Sequence, residues 1–77
     1  MNKQRRKQLR EIADKLADLN ADLESLKDEE QEAYDNLPES LQDGERGQTM
    51  NEIIDTLDTA FYSLEETICS ITEAIEH

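Results

Sequence analysis

Two runs of apolar residues, each stepping by three and four without a break, limit what this chain can fold into more than any other feature. Leu9, Ile12, Leu16, Leu19, Leu23 and Leu26 form the first; Met50, Ile54, Leu57, Phe61, Leu64, Ile68, Ile71 and Ile75 form the second. Alternating steps of this kind keep side chains on one stripe of an α-helix, and over several turns they make a heptad seam. With Leu9 at position a, Leu16 and Leu23 are also a, while Ile12, Leu19 and Leu26 are d. Both runs therefore predict long helices, and the fold class is all-α. One interruption separates them, Tyr34–Gly47, and it holds the only proline and both glycines.

The interruption sets the boundaries. Pro38 pushes Leu37 out of the α region, so the first helix is expected to end near Tyr34 or Asp35. Asn36 is a potential cap for a short turn over residues 38–42, with Pro38 in its first turn and Glu39 at the capping-box position. Thr49-Met-Asn-Glu52 reads as a capping box for the second helix, and Asp43 offers an earlier start. The chain divides into helix 1 over about residues 3–35, a corner with a short helical turn over about 36–48, and helix 2 over about 49–76. Together these make one domain, 1–77. Tyr34, Leu37 and Leu41 are expected to close the corner as an apolar lid.

A second row flanks each seam. Ile53, Ala60, Thr67 and Ala74 run beside the later one, and Ala13, Ala17 and Ala21 beside the earlier. A face two rows wide contacts more than one helix, and 77 residues bury too little apolar surface to be comfortably stable alone. The expected architecture is an antiparallel helical hairpin, coiled-coil-like, that dimerises into a four-helix bundle. Its core is expected to hold Leu9, Ile12, Leu16, Leu19, Leu23, Leu26, Ile54, Leu57, Phe61, Leu64, Ile68, Ile71 and Ile75. The structural alternative is an extended helical dimer that opens at Pro38.

Charge narrows the partners. Twenty acidic side chains against eight basic ones give a net charge of -12, which repels nucleic acid and anionic membranes and favours a protein with a basic surface. The first ten residues run the other way, with Lys3, Arg5, Arg6, Lys7 and Arg10 and no acid. In a hairpin this basic turn is expected beside Glu73 and Glu76. Aromatic residues, which would stack on bases, are absent from it. No apolar run approaches the ~20 residues of a membrane span, and the basic start lacks the continuous apolar core of a secretory signal. Cys69 is the only cysteine, so no disulfide forms within the chain and a reducing cytoplasm is the expected setting.

The chemistry of catalysis is missing from the pattern. Acid–base work needs paired groups in a dry cleft, which two helices with 4% aromatics cannot enclose. The only histidine is His77. Cys69 falls at a b position among Glu65, Glu66 and Glu73, with no cation to lower its pKa. A di-iron bundle needs Glu-x-x-His pairs, and none occurs. Asp28, Glu30, Glu32 and Glu39 match four positions of a calcium loop, but Ala33 stands where glycine is required. No enzyme, cofactor or metal is expected.

Acids are the main surface feature. Ten of them fall between Glu11 and Asp35, a helical length of ~37 Å and ~3.7 Å per acid, against ~3.4 Å between phosphates along one DNA strand. Asp14, Asp18, Asp22, Asp28 and Glu29 are the candidate partner-binding residues, with Tyr34 as an aromatic anchor at the corner.

The corner Glu30-Gln-Glu-Ala-Tyr-Asp-Asn-Leu-Pro-Glu-Ser-Leu-Gln42, followed by Gly44-Glu-Arg46, resembles that of a group of small uncharacterised helical proteins from bacteria and their phages. Those proteins share a basic start, a leucine heptad, a similar corner and a second acidic helix, so the likeness covers nearly the whole chain. Thr56, Thr59, Thr67 and Thr72 depart from the group's more uniform second helix. The resemblance implies a mobile-element origin and brings no activity or functional residue with it. The leading functional expectation is a non-enzymatic interaction protein, phage-borne, that binds or inhibits a host nucleic-acid-handling or defence protein through its acidic surface. The alternative is a structural or assembly coiled-coil module that associates with itself.

Overall fold

A computed structural model describes residues 1–77. It contains three helices: α1 over Lys3–Asp35, α2 over Glu39–Gln42 and α3 over Glu45–Glu76. Helices α1 and α3 pack antiparallel along a hairpin 58 Å long, closed at the corner rather than opened into a rod. No helix is long and apolar enough to cross a membrane.

The helix ends follow local chemistry, with two departures from expectation. Asn2 caps α1 by accepting a 2.8 Å hydrogen bond from the Arg5 amide. Asn36 does not cap α2; it is the C-cap of α1, where its own amide donates to the Glu32 carbonyl and the next amide, that of Leu37, donates to the Tyr34 carbonyl. Pro38 takes the N-cap place of α2 with no side-chain bond, so the apparent capping box at Asn36–Glu39 is not made. The second departure lies at α3. It begins at Glu45 with Gly44 as its N-cap, between the two expected starts at Asp43 and Thr49. Thr49 sits inside the helix and donates to the Glu45 carbonyl at 3.1 Å, so the capping box there is unused.

Two residues hold the corner shut. The Gln42 side-chain amide donates to the carbonyls of Tyr34 at 3.2 Å and Leu37 at 3.0 Å, tying α2 to the chain that leaves α1. Gly47 is buried, and a Cβ built on it would stand 2.0 Å from the Gln42 carbonyl oxygen. The constraint is close approach, since no residue has a positive φ. Tyr34 and Leu37 are half-buried as the lid requires, whereas Leu41 is exposed.

Within the hairpin the two expected seams pack differently. On α3 the predicted seam packs inward: Ile54 and Ile75 are buried, and Leu57, Phe61, Leu64, Ile68 and Ile71 are half-buried. On α1 only the a row, Leu9, Leu16 and Leu23, turns inward with it. The d row, Ile12, Leu19 and Leu26, is exposed, and its place is taken by the e row of Arg6, Ala13, Asn20, Lys27 and Tyr34. The helix is thus rotated by roughly one position from an a/d seam. Bulk explains the choice: Ala13 and Asn20 are short enough to admit the α3 side chains, and Lys27 lays its stem along them with its ammonium 5.2 Å from the Phe61 ring centre. Of the alanines read as flanking the first seam, Ala13 is buried and Ala17 and Ala21 are exposed.

Gly47→Ala is expected to destabilise the hairpin by about 1–3 kcal/mol, because backbone must move to admit the methyl group. Gly44→Ser, at an extended N-cap with φ -87° and nearest neighbours at 3.6 Å, is expected to be neutral or stabilising by a few tenths of a kcal/mol. Thermal or urea denaturation of the two variants checks the contrast.

Candidate functional site

The rotation of α1 determines what the molecule shows to a partner. Ile12 is 48% exposed, Leu19 60% and Leu26 58%; on α3, Ile53 is 44% exposed. Ile53 continues into the row Ala60, Thr67 and Ala74 anticipated beside the second seam. On each helix the uncovered row lies ~80° from the buried stripe, in the same rotational sense seen from that helix's own N-terminus. Because the helices run antiparallel, equal rotations bring both rows to the same side of the hairpin. One face of the molecule is therefore apolar along most of its length.

Register along the hairpin is fixed by three polar links. Arg6 Nη2 donates to the His77 carbonyl at 3.2 Å, Asn20 Nδ2 to the Phe61 carbonyl at 3.1 Å, and Lys27 Nζ to Asp58 Oδ1 at 2.8 Å. Leu19 then stands level with the middle of the Ala60–Thr67 interval. A groove lined by Thr49, Glu52, Ile53, Thr56 and Leu57 borders the apolar face at its corner end.

Asn20 and Lys27 went unread in the sequence, because polar residues at e positions look like solvated flanks. Asn20 is buried, with its Oδ1 unpartnered. Lys27 is held above its ordinary pKa, first by the hydrogen bond to Asp58 and then by the negative charge of Asp58 and Asp28, against an opposing effect of burial. The contact of Lys27 with Phe61 could have flagged it only once the two helices were aligned.

The acids named from the sequence do not form a narrow stripe. Asp14, Asp18, Asp22, Asp28 and Glu29 are all exposed, at f, c and g positions spread over ~100° of the side of α1 that faces away from α3. None of them forms an ion pair, since the one salt bridge in the molecule is Lys27–Asp58. The basic turn lies at the same end of the hairpin as Glu73 and Glu76, where Arg6 reaches the His77 carbonyl, and makes no salt bridge to either acid. Tyr34 is half-buried at the corner, closer to a packing role than to an exposed anchor. Cys69 is exposed and free.

Since the folded pKa of Lys27 is raised, the stability it adds is fully present below the unfolded value of about 10.4 and is lost as pH rises through the folded value. Wild type is expected to be more stable than Lys27→Met at pH 8, with the gap closing as pH rises past the ordinary lysine value and through the raised folded one. Parallel denaturation of both proteins across that range measures it, and a gap independent of pH would assign the effect to packing of the stem.

Comparison of the chain with protein-family models, with curated proteins and with solved structures gives no match.

Proposed function

We propose that this chain is a non-enzymatic protein–protein interaction module whose first partner is a second copy of itself, two hairpins closing face to face into a four-helix bundle. The observation that carries this reading is the exposed row Ile12, Leu19 and Leu26, on the same side as Ile53. Large aliphatic side chains repeated at heptad spacing along an exposed helix face are the pattern of an interface. Completing the burial of each contributes on the order of 1 kcal/mol. A face about 58 Å by 15 Å has a footprint comparable to the ~800 Å² that each partner of a specific complex buries.

A second reading has its own observation. Asp14, Asp18 and Asp28 point away from the apolar face, are exposed and lack any ion partner within the chain. They suit a protein with a basic surface, and the sharpest version of this reading is a phage-borne inhibitor that occupies the nucleic-acid site of a host enzyme by charge.

Sedimentation equilibrium separates the two. Wild type at micromolar concentration is expected to sediment as twice the 8.9 kDa chain mass, and Leu19→Glu as one chain, because a charge cannot be buried unpaired in the interface. A monomeric wild type would overturn self-association. Replacing Asp14, Asp18 and Asp28 by asparagine should leave the dimer intact. If the acidic reading holds, the same triple change abolishes capture of a host protein that excess duplex DNA displaces.

A further inference from the structure

Resting on the self-association just proposed, we infer that the two copies dock with their hairpins reversed, the open end of each lying over the corner of the other, so that α1 packs on α1 and α3 on α3 about a two-fold axis at Leu19. Two arrangements bring the apolar faces together. In one the corners share an end of the bundle; in the other they stand at opposite ends.

Charge decides between them. The open end, residues 1–10 and 68–77, carries five basic side chains against Glu73 and Glu76, a net of +3; the corner end, residues 28–52, carries nine acids against Arg46, a net of -8. Corners on the same end would place -8 beside -8 and +3 beside +3 at the ~8–10 Å separation of packed helices, within reach of a Debye length of about 8 Å. Reversed hairpins place +3 over -8 at both ends. The mid-section agrees: Lys15 and Asp22 are both g positions at the margin of the face, and a two-fold axis near Leu19 sets Lys15 of each copy opposite Asp22 of the other.

The apolar rows fit the same axis. Rotation about Leu19 superposes Ile12 on Leu26 and Leu19 on itself. On α3, the register set by Asn20 and Phe61 puts that axis between Ala60 and Thr67. It therefore pairs Ala60 with Thr67 and Ile53 with Ala74, so each α3 contact sets a small residue against its counterpart. Thr67 suits a covered position, because its hydroxyl already donates to the Ser63 carbonyl at 3.0 Å, leaving the methyl as the remaining surface.

The test is a spin-label distance across the dimer. In the Cys69→Ser, Ser40→Cys variant, with the label at the exposed corner residue 40, reversed hairpins put the labels at opposite ends of a bundle the length of the 58 Å hairpin, an expected separation of about 50 Å or more. A separation below about 30 Å would overturn the reversed arrangement while leaving self-association standing. Absence of dipolar coupling at concentrations well above micromolar would overturn self-association itself. As a second readout, Lys15→Glu and Asp22→Lys should each weaken the dimer and the double variant should restore it; failure of the double variant to recover would also contradict this docking.

Discussion

The fit of α3 against the e side of α1 is the contact on which the rest of the molecule depends. Phe61 sits at its centre, with the Asn20 amide bonded to its carbonyl and the Lys27 ammonium near its ring. A leucine at either of those α1 positions would fill the space that the α3 side chains use, whereas alanine, asparagine and the stem of lysine leave room. Apolar burial supplies the attraction, but it is the short and amphipathic residues that decide which stripe of α1 faces inward. Once the helix has turned that way, Ile12, Leu19 and Leu26 stay about half exposed.

The buried side-chain amide of Asn20 is only half satisfied. Its Nδ2 is satisfied and its Oδ1 is not, which makes the residue unfavourable for stability compared with a well-packed aliphatic. What the bond does supply is a single register between α1 and α3, because sliding by a turn would strand both atoms. The corner acts in the same direction, through Gln42 closing the end of α1 and through Gly47 allowing α3 to start against it. Register and corner together determine that the two uncovered rows are level with one another. That levelness is what gives the face a two-fold centre.

Much of this was legible in the residues. The helices, the closed corner and the short turn at Glu39–Gln42 follow from heptad spacing and Pro38, and the inward row of α3 matches the predicted seam. The rotation of α1 was not legible, for a definite reason. A heptad shows which residues are apolar, but in a bundle each apolar row has a choice of neighbours, and periodicity does not assign them. The e row held the answer in Ala13 and Asn20, which are small, and in Arg6 and Lys27, whose stems cover apolar surface. The start of α3 lies between the two cues at Asp43 and Thr49, and the Thr49 capping box is unused because its hydroxyl bonds back to Glu45 once Gly44 provides an extended N-cap. As for the acids, sequence placed them on the surface correctly, and their spread around α1 emerged only with the seam position.

In this arrangement α1 keeps its a row for α3 and offers its d row to another chain. Isotope-filtered methyl contacts in a sample mixing labelled and unlabelled protein distinguish the two rows. Contacts between chains are expected from Ile12, Leu19 and Leu26, including Ile12 to Leu26 across the axis, with Leu9, Leu16 and Leu23 touching α3 of their own chain. Contacts between chains from Leu16 and Leu23, with Leu19 packed inside its own hairpin, would contradict it.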